Sequence, residues 1–469
     1  MKGEAPMDKQ TAIRYLEERA TDFYALSDRI WDHAEIRFGE KRSAQDYAAF
    51  LEAEGFTVTI GIAGLKTAFR AEWGSGKPVI GFLGEYDALP GLSQKAGVAV
   101  KEPLENGGNG HGCGHNLLGV GALMGAVGLK HALETAGNPG TVVFFGCPAE
   151  EGGSGKTFMA REGCFDQLDA AFSWHPDSRN MMPPGPVLAN DVVRYSFTGK
   201  ASHAAAAPEA GRSALDALEL MNIGVQFLRE HMPSTARIHY AITDTGGNSP
   251  NIVQPYASAL YQIRAPFAPE LAQLYERVNN IARGAALMTD TQVEIRFLKG
   301  TSNTVLIPAL DEVMYNNMCE IPHPVEHAED TAFAQKIVKT QNPDDRLPDH
   351  AFNLRVMPFN KAGNVPIPGS SDTGDVSWVC PVSQCAASTW PVGTAAHSWQ
   401  AVACGKSDFA HRGMLYAGQV LSATAIDVCN HPEIIAEAWK QLKKKTGNQP
   451  YHCPIPPEIT PELLESETT

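Results

Sequence analysis

Three short apolar runs constrain this chain more than any other feature: Pro78-Val-Ile-Gly-Phe-Leu-Gly84, Thr141-Val-Val-Phe-Phe-Gly146 and Ala170-Ala-Phe-Ser-Trp174. The helical stretch Leu117 to Leu133 separates the first run from the second. Continuous apolar strands alternating with helices predict an α/β fold, with a mostly parallel sheet covered by helices on both faces. Each run also leads into polar groups: Glu85-Tyr86-Asp87, Glu150-Glu151-Gly152-Gly153 and His175-Pro176-Asp177. Ligands of open α/β sheets bind beyond the carboxyl ends of the strands, so these groups are expected to converge.

The pattern changes near Asp191. Before it, residues 8–35 and Ser43 to Gly55 read as helices. After it, Val192 to Thr198 alternates, Ser213 to Met232 is helical, and Ala257 to Ala265 and Gln292 to Lys299 read as antiparallel strands. A large α/β domain over 1–190 and 308–469 is therefore expected, interrupted by a smaller inserted α+β domain over 191–307. Residues 340–372, rich in Pro, Asn, Asp and Gly, read as a long irregular excursion.

Composition removes several function classes. The net charge of -15 argues against nucleic acid, whose phosphates need clustered Lys and Arg. No run of about 18 apolar residues suggests a membrane span. Met1 to Gln10 is polar, without a secretory apolar core. Nine cysteines without regular spacing do not form a disulfide framework, so a reducing cytoplasm is expected.

His111-Gly112-Cys113-Gly114-His115-Asn116 sets two metal ligands two residues apart. In an extended loop they share a side, and a following helix N-terminus favours thiolate. The alternative is a tight turn with a packed Cys and His. The acidic pair alone reads as solvated, and Trp174-His175-Pro176 as a satisfied core histidine. Together, at strand ends, they favour a metal site. Adjacent Glu150 and Glu151 diverge, so one can coordinate while the other faces the reacting water. Cys, His and carboxylate donors suit a transition metal better than Ca²⁺ or Mg²⁺.

These elements, with Gly84-Glu-Tyr-Asp-Ala-Leu-Pro90, Gly199-Lys-Ala-Ser-His-Ala204 and the late His397, resemble the dimetal aminoacylase/carboxypeptidase family of amidohydrolases over nearly the whole chain. The likeness falls in the branch with the auxin-conjugate hydrolases. It sharpens toward the subgroup that splits p-aminobenzoyl-glutamate, through Ser371 to Trp378 and Gln449 to Pro456. The resemblance implies that Cys113, His115, Glu151, His175 and His397 hold two divalent ions. It also implies Glu150 as general base and Asp87 as a supporting carboxylate. His203 would stabilise the oxyanion across a dimer, and Asn251 and Arg264 would hold the substrate carboxylate. Mn²⁺ is the metal the resemblance implies; donor softness allows Zn²⁺. The implied partner is a second copy or a homologous subunit. The implied reaction is hydrolysis of an N-acyl amino acid, p-aminobenzoyl-glutamate foremost, with an auxin conjugate or dipeptide as alternatives. A weakly active subunit of a heteromeric enzyme is the other alternative. Asn116 and Gly374 depart from the auxin branch, where Asp and Glu are common at those places.

His33 and His111 read as structural. Cys147, Cys380, Cys385, Cys404 and Cys429 read as core residues.

Overall fold

A computed structural model describes residues 6–341 and 350–466. Its strands, in chain order, are β1 (Thr57–Ile60), β2 (Phe69–Ser75), β3 (Val79–Glu85), β4 (Gly140–Cys147), β5 (Ala170–Asp177), β6 (Arg179–Asn180), β7 (Ala189–Thr198), β8 (Arg237–Asp244), β9 (Tyr256–Ala265), β10 (Gln292–Thr301), β11 (Asn353–Val356) and β12 (Val382–Ser388). The chain divides into two compact units. The first comprises Met1–Gly185, Val305–Val365 and Val376–Tyr451; the second comprises Pro186–Thr304, Pro366–Asp375 and His452–Thr469. Two segments expected with the large domain, 366–375 and 452–469, thus belong to the second unit.

The first unit is built on a six-stranded sheet of order β1-β2-β4-β3-β5-β12. From β4 to β12 the pairing is parallel, while β2 runs antiparallel to both β1 and β4. Every residue of β4 is buried, as a doubly covered strand requires. The expected α/β architecture is present.

One helix, His115–Ala136, explains much of the packing. It is long and apolar enough to cross a membrane by length and composition, yet 89% of its apolar window is buried inside the protein. Its glycines permit that burial. A Cβ on Gly119 would meet Tyr47 Oη at 2.3 Å and the Glu85 carbonyl at 2.4 Å, and one on Gly121 would meet Trp174 Nε1 at 2.4 Å. The helix therefore lies backbone-close to β3. The helix Asp408–Asn430, capped by the Ser407 side chain on the Ala410 amide, packs against it within the same core.

The N-terminal helical region is two helices, Lys9–Glu18 and Ala20–His33, joined at Arg19. The 340–372 excursion falls partly outside the described residues; of the rest, β11 pairs in parallel with β6. Helix Pro432–Lys445 ends in the three lysines, where cations oppose the dipole.

The second unit is an antiparallel sheet of order β10-β7-β9-β8 with helices Ala214–Arg229 and Ala268–Thr289. Odd-numbered residues of β7 and β9, including Val193, Tyr195, Phe197, Ala259, Tyr261 and Ile263, are buried. The helices bond to that face: Tyr195 Oη donates to Asn279 Oδ1 at 2.7 Å, and Tyr261 Oη donates to Asn222 Oδ1.

Candidate metal centre

Parallel pairing from β4 to β12 sends their carboxyl ends to one edge of the sheet. β3 ends at Glu85 in register with Cys147, the last residue of β4, and Asp177 of β5 aligns with Ser388 of β12. Asp87, Glu150 and His175 follow from these strand ends, and the Cys113 loop and the His397 loop close over the same edge. The His397 amide donates to the Gly112 carbonyl at 2.8 Å, tying the two loops together.

The Cys113 loop differs from the extended conformation expected. Residues Gly112 and Cys113 form a turn, and Gly114 takes a left-handed φ of 74° before His115 opens the helix. A left-handed residue, which glycine adopts without penalty, brings Cys113 and His115 together. Two non-glycine residues at this edge also have left-handed φ, His397 (59°) and Ala149 (60°). Such conformations carry strain and concentrate at functional sites.

Three sets of donor atoms converge: Cys113, His115 and His175; Cys113, Glu151 and His397; and Glu85, His115 and Glu150, each set with its atoms within 4.8 Å of one another. Cys113 and His115 each belong to two sets, so one thiolate can serve two neighbouring positions. Cys113 Sγ lies 3.4 Å from His175 Nε2, and His397 Nε2 lies 3.2 Å from Glu151 Oε1. His397 is 54% exposed while Glu151 is 10% exposed, so the site opens on the His397 side.

Asp87 organises two of these groups. One carboxylate oxygen lies 2.9 Å from His115 Nδ1, and the other accepts the Glu151 amide at 2.9 Å. That aims His115 Nε2 into the centre, where it is buried without a hydrogen-bond partner among the described residues; Glu85 Oε2, 3.2 Å away, is not aligned to bond it. A buried ring nitrogen held this way, beside a thiol and carboxylates, fits a divalent ion.

The electrostatics agree. Burial pushes the Cys113 thiol up, but His175 and His115 outweigh it and bring the thiol to about 6. Burial pulls His175 down, but Cys113 raises it to about 9. Hydrogen bonds to Cys113 and Glu151 raise His397 to about 10. The two raised histidines thus set positive charge beside a thiolate, where a cation is suited to sit.

The structure adds two residues that the sequence pattern did not single out, Lys156 and Glu40. Lys156 Nζ meets Glu85 Oε1 at 2.7 Å, with both side chains buried. Glu40, also buried, accepts from the Ala149 amide at 2.8 Å and from Thr67 Oγ1 at 3.0 Å. Burial and then Asp87 push the Glu40 carboxyl up to about 8. The signals were present: Glu85 ends an apolar strand, and Lys156 stands in an otherwise buried helix start.

His111 is buried, with Nε2 3.0 Å from the Ile30 carbonyl, and His33 Nε2 pairs with Asp46 at 2.9 Å. Cys147, Cys380, Cys385 and Cys404 are buried, while Cys429 is only partly so. His203, Asn251 and Arg264 lie in the second unit. There the Ala204 amide donates to the Asn251 carbonyl at 2.9 Å, setting the His203 and Asn251 loops side by side. His203 Nδ1 accepts from the Ala205 and Ala206 amides at 3.2 and 3.1 Å, leaving Nε2 as its outer atom. Arg264 sits on β9, its Nη1 donating to the Pro368 carbonyl at 2.6 Å.

A parallel α/β sheet with thiol, imidazole and paired carboxylates at its carboxyl edge defines a metal-dependent hydrolase of the α/β class. The chain belongs to peptidase family M20/M25/M40, which matches residues 81–457. It is 46% identical over 475 residues to a p-aminobenzoyl-glutamate hydrolase subunit of Escherichia coli, covering 97% of this chain and 98% of that protein. It is 32% identical over 451 residues to Xaa-Arg dipeptidase of Mus musculus, covering 93% of this chain and 92% of that one. Among solved structures, a dinuclear metal-binding M20 peptidase of Bacillus subtilis shares the fold, with a TM-score of 0.56, 18% identity, and coverage of 88% of this chain and 99% of that one.

Proposed function

We propose that this chain hydrolyses the amide bond of N-acyl amino acids, p-aminobenzoyl-glutamate foremost, at a centre of two divalent ions. The observation that carries the reading is Cys113: it belongs at once to a set with His115 and His175 and to a set with Glu151 and His397. Mn²⁺ is the proposed metal, with Zn²⁺ the alternative for thiolate and imidazole donors. Bound divalent ions supply Lewis acidity to the amide carbonyl and lower the pKa of the attacking water.

The protein's own groups do the rest. Glu150, 8% exposed beside the donors, takes the water's proton and returns it to the departing amine nitrogen. Asp87 holds the His115 ring and the Glu151 backbone through its two oxygens, so neither reorganises during turnover. His203 stabilises the oxyanion across an assembly with a second copy or a homologous subunit, and Asn251 and Arg264 bind the substrate carboxylate. The first unit then acts as the catalytic domain and the second as the lid or dimerisation domain.

The relative with 46% identity is itself a named subunit, which supports assembly with a second chain. A dipeptidase is the second reading, favoured by the Xaa-Arg dipeptidase likeness. Assaying the chain alone with added Mn²⁺ on p-aminobenzoyl-glutamate, indoleacetyl-aspartate and dipeptides separates these readings. Glu150→Gln is expected to keep its metal and lose at least ~100-fold in kcat, the scale of general-base catalysis. Unchanged turnover in that variant would sink the assignment.

A further inference from the structure

Residues 34–40 connect helix Ala20–His33 to helix Lys41–Ala53. Within the connection, Ala34 and Phe38 take left-handed φ of 43° and 64°, though neither is glycine. Non-glycine residues persist there only where their surroundings over-determine them, and they cluster at functional sites. The connection is also fastened to itself. The Glu35 carboxylate accepts from the Arg42 and Ser43 amides at 3.1 and 2.9 Å, capping the second helix. The Gly39 amide donates to the Ile36 carbonyl at 2.9 Å. A short segment held this way is suited to hold something else.

It grips both carboxylate loops of the metal centre. On one side, the Glu35 carbonyl accepts the Ala88 amide at 2.8 Å, and Ile36 bridges Ala88 beside Asp87. On the other, Glu40 Oε1 accepts the Ala149 amide at 2.8 Å, and Arg37 Nη1 donates to the Gly152 carbonyl at 3.1 Å. Packing leaves no slack. A Cβ on Gly152 would fall 2.2 Å from Arg37 Nη1, and one on Gly153 would fall 2.4 Å from Phe38 Cζ. Glu40 is 0% exposed, and its second oxygen accepts from Thr67 Oγ1 at 3.0 Å. The Thr67 carbonyl in turn accepts from Tyr86 Oη at 2.7 Å, one residue before Asp87.

The consequence falls on Glu150. Ala149 is buried past the end of β4, beyond the ladder that satisfies strand amides, and Glu40 supplies its acceptor. The next amide but one, that of Glu151, is held by Asp87 at 2.9 Å. Glu150 therefore stands between two amides fixed by two buried carboxylates, which sets the direction of its side chain from both sides. Hydrogen bonds to a carboxylate are roughly twice as strong as neutral ones, so Glu40 is suited to keep Ala149 at its left-handed φ of 60°.

We propose that Glu40 is a positioning residue for the proton-transfer step: with Arg37 it braces the 149–153 loop and fixes the direction of Glu150. Fully buried, it acts through the loop and not on the substrate. The catalytic consequence rests on the reading of Glu150 as general base; the brace rests on its own hydrogen bonds.

The test compares Glu40→Leu and Glu40→Gln in the full-length protein with saturating Mn²⁺, reading kcat, KM and amide hydrogen exchange across 149–153. Leucine strands the Ala149 amide, so exchange across 149–153 is expected to quicken ~10-fold while β12 keeps its wild-type rate. The kcat is expected to fall ~10- to 100-fold with KM within about threefold, a loss in the chemical step without a loss in binding. Glutamine keeps an oxygen for the Ala149 amide, and its N–H₂ can donate to Thr67 Oγ1, whose hydroxyl turns to accept. Glu40→Gln is therefore expected to regain most of the lost kcat and the wild-type exchange. Arg37→Met deletes the bond to Gly152 at a half-buried site; it is expected to shift exchange and kcat the same way, and decides the matter if the leucine variant does not fold. Exchange across 149–153 unchanged, exchange quickened throughout the protein, a glutamine variant as impaired as the leucine one, or kcat unchanged in Glu40→Leu overturns the proposal. Faster exchange confined to 149–153 in a protein that cleaves no N-acyl amino acid upholds the brace and defeats the proposed activity.

Discussion

Replacing Lys156 by Met tests the internal electrostatics of the centre most directly. Lys156 is 0% exposed and meets Glu85, 2% exposed, at 2.7 Å. Methionine keeps most of the apolar stem and deletes only the charge. Glu85 is then left in a dry interior with His115 Nε2, 3.2 Å away and not aligned to bond it. Stripping one partner from a buried ion pair costs roughly 3–5 kcal/mol, whereas replacing both by apolar groups is often neutral or better. Guanidinium denaturation of the metal-stripped protein at pH 7 should show a loss of that size in the first unit's transition. Lys156→Met/Glu85→Leu should recover at least ~2 kcal/mol of it. The pH dependence follows from Glu85. Burial pushes its carboxyl up, but Lys156 and then His115 hold it below the usual range. A depressed carboxyl contributes stability above its unfolded pKa of about 4.3, and loses it as pH falls through the folded value. Without Lys156 the folded pKa rises instead, so the variant is penalised most near neutrality and its deficit shrinks toward about pH 4–5. A loss under ~1 kcal/mol at pH 7, or a double variant no better than the single, refutes the reasoning.

Cys113→Ser should lower metal occupancy at both positions while circular dichroism stays native, because the thiolate is common to two donor sets. Occupancy of the wild type should fall as pH drops through about 6, where the Cys113 thiol reprotonates, and proton release on metal addition should be measurable by calorimetry. Gly119→Ala should destabilise by about 1–3 kcal/mol in denaturant titration, since its Cβ falls 2.4 Å from the Glu85 carbonyl; no loss would mean that helix and strand can part freely. Mixing His203→Ala with Glu150→Gln should restore activity through hybrid assemblies, and failure after demonstrated subunit exchange places His203 within one chain.

Legibility in the sequence followed the type of signal. β3, β4 and β5 were readable because residues buried on both faces are apolar without interruption. β2, Phe-Arg-Ala-Glu-Trp-Gly-Ser, was missed because an antiparallel strand interleaves polar residues. β12, Val-Ser-Gln-Cys-Ala-Ala-Ser, was missed because small and polar side chains carry no hydrophobic pattern even where largely buried. Glu150, Glu151 and His175 were visible as reactive types at strand ends, Cys113 and His115 as ligand types in the loop before a helix, and His397 only through resemblance.

By itself, the sequence determined the apolar periodicity, the identity of the donor atoms and the family to which they belong. These are properties of residue type and order. Only the tertiary structure decided that Cys113 stands in two donor sets, that Asp87 grips both His115 and Glu151, and that Glu85 is neutralised by Lys156. The Asp87 and Lys156 contacts depend on segments far apart in the chain meeting at one sheet edge, and the Cys113 arrangement depends on the left-handed turn at Gly114. A sequence names the groups; the distances among them, and therefore their charge states, exist only once the sheet has closed its register.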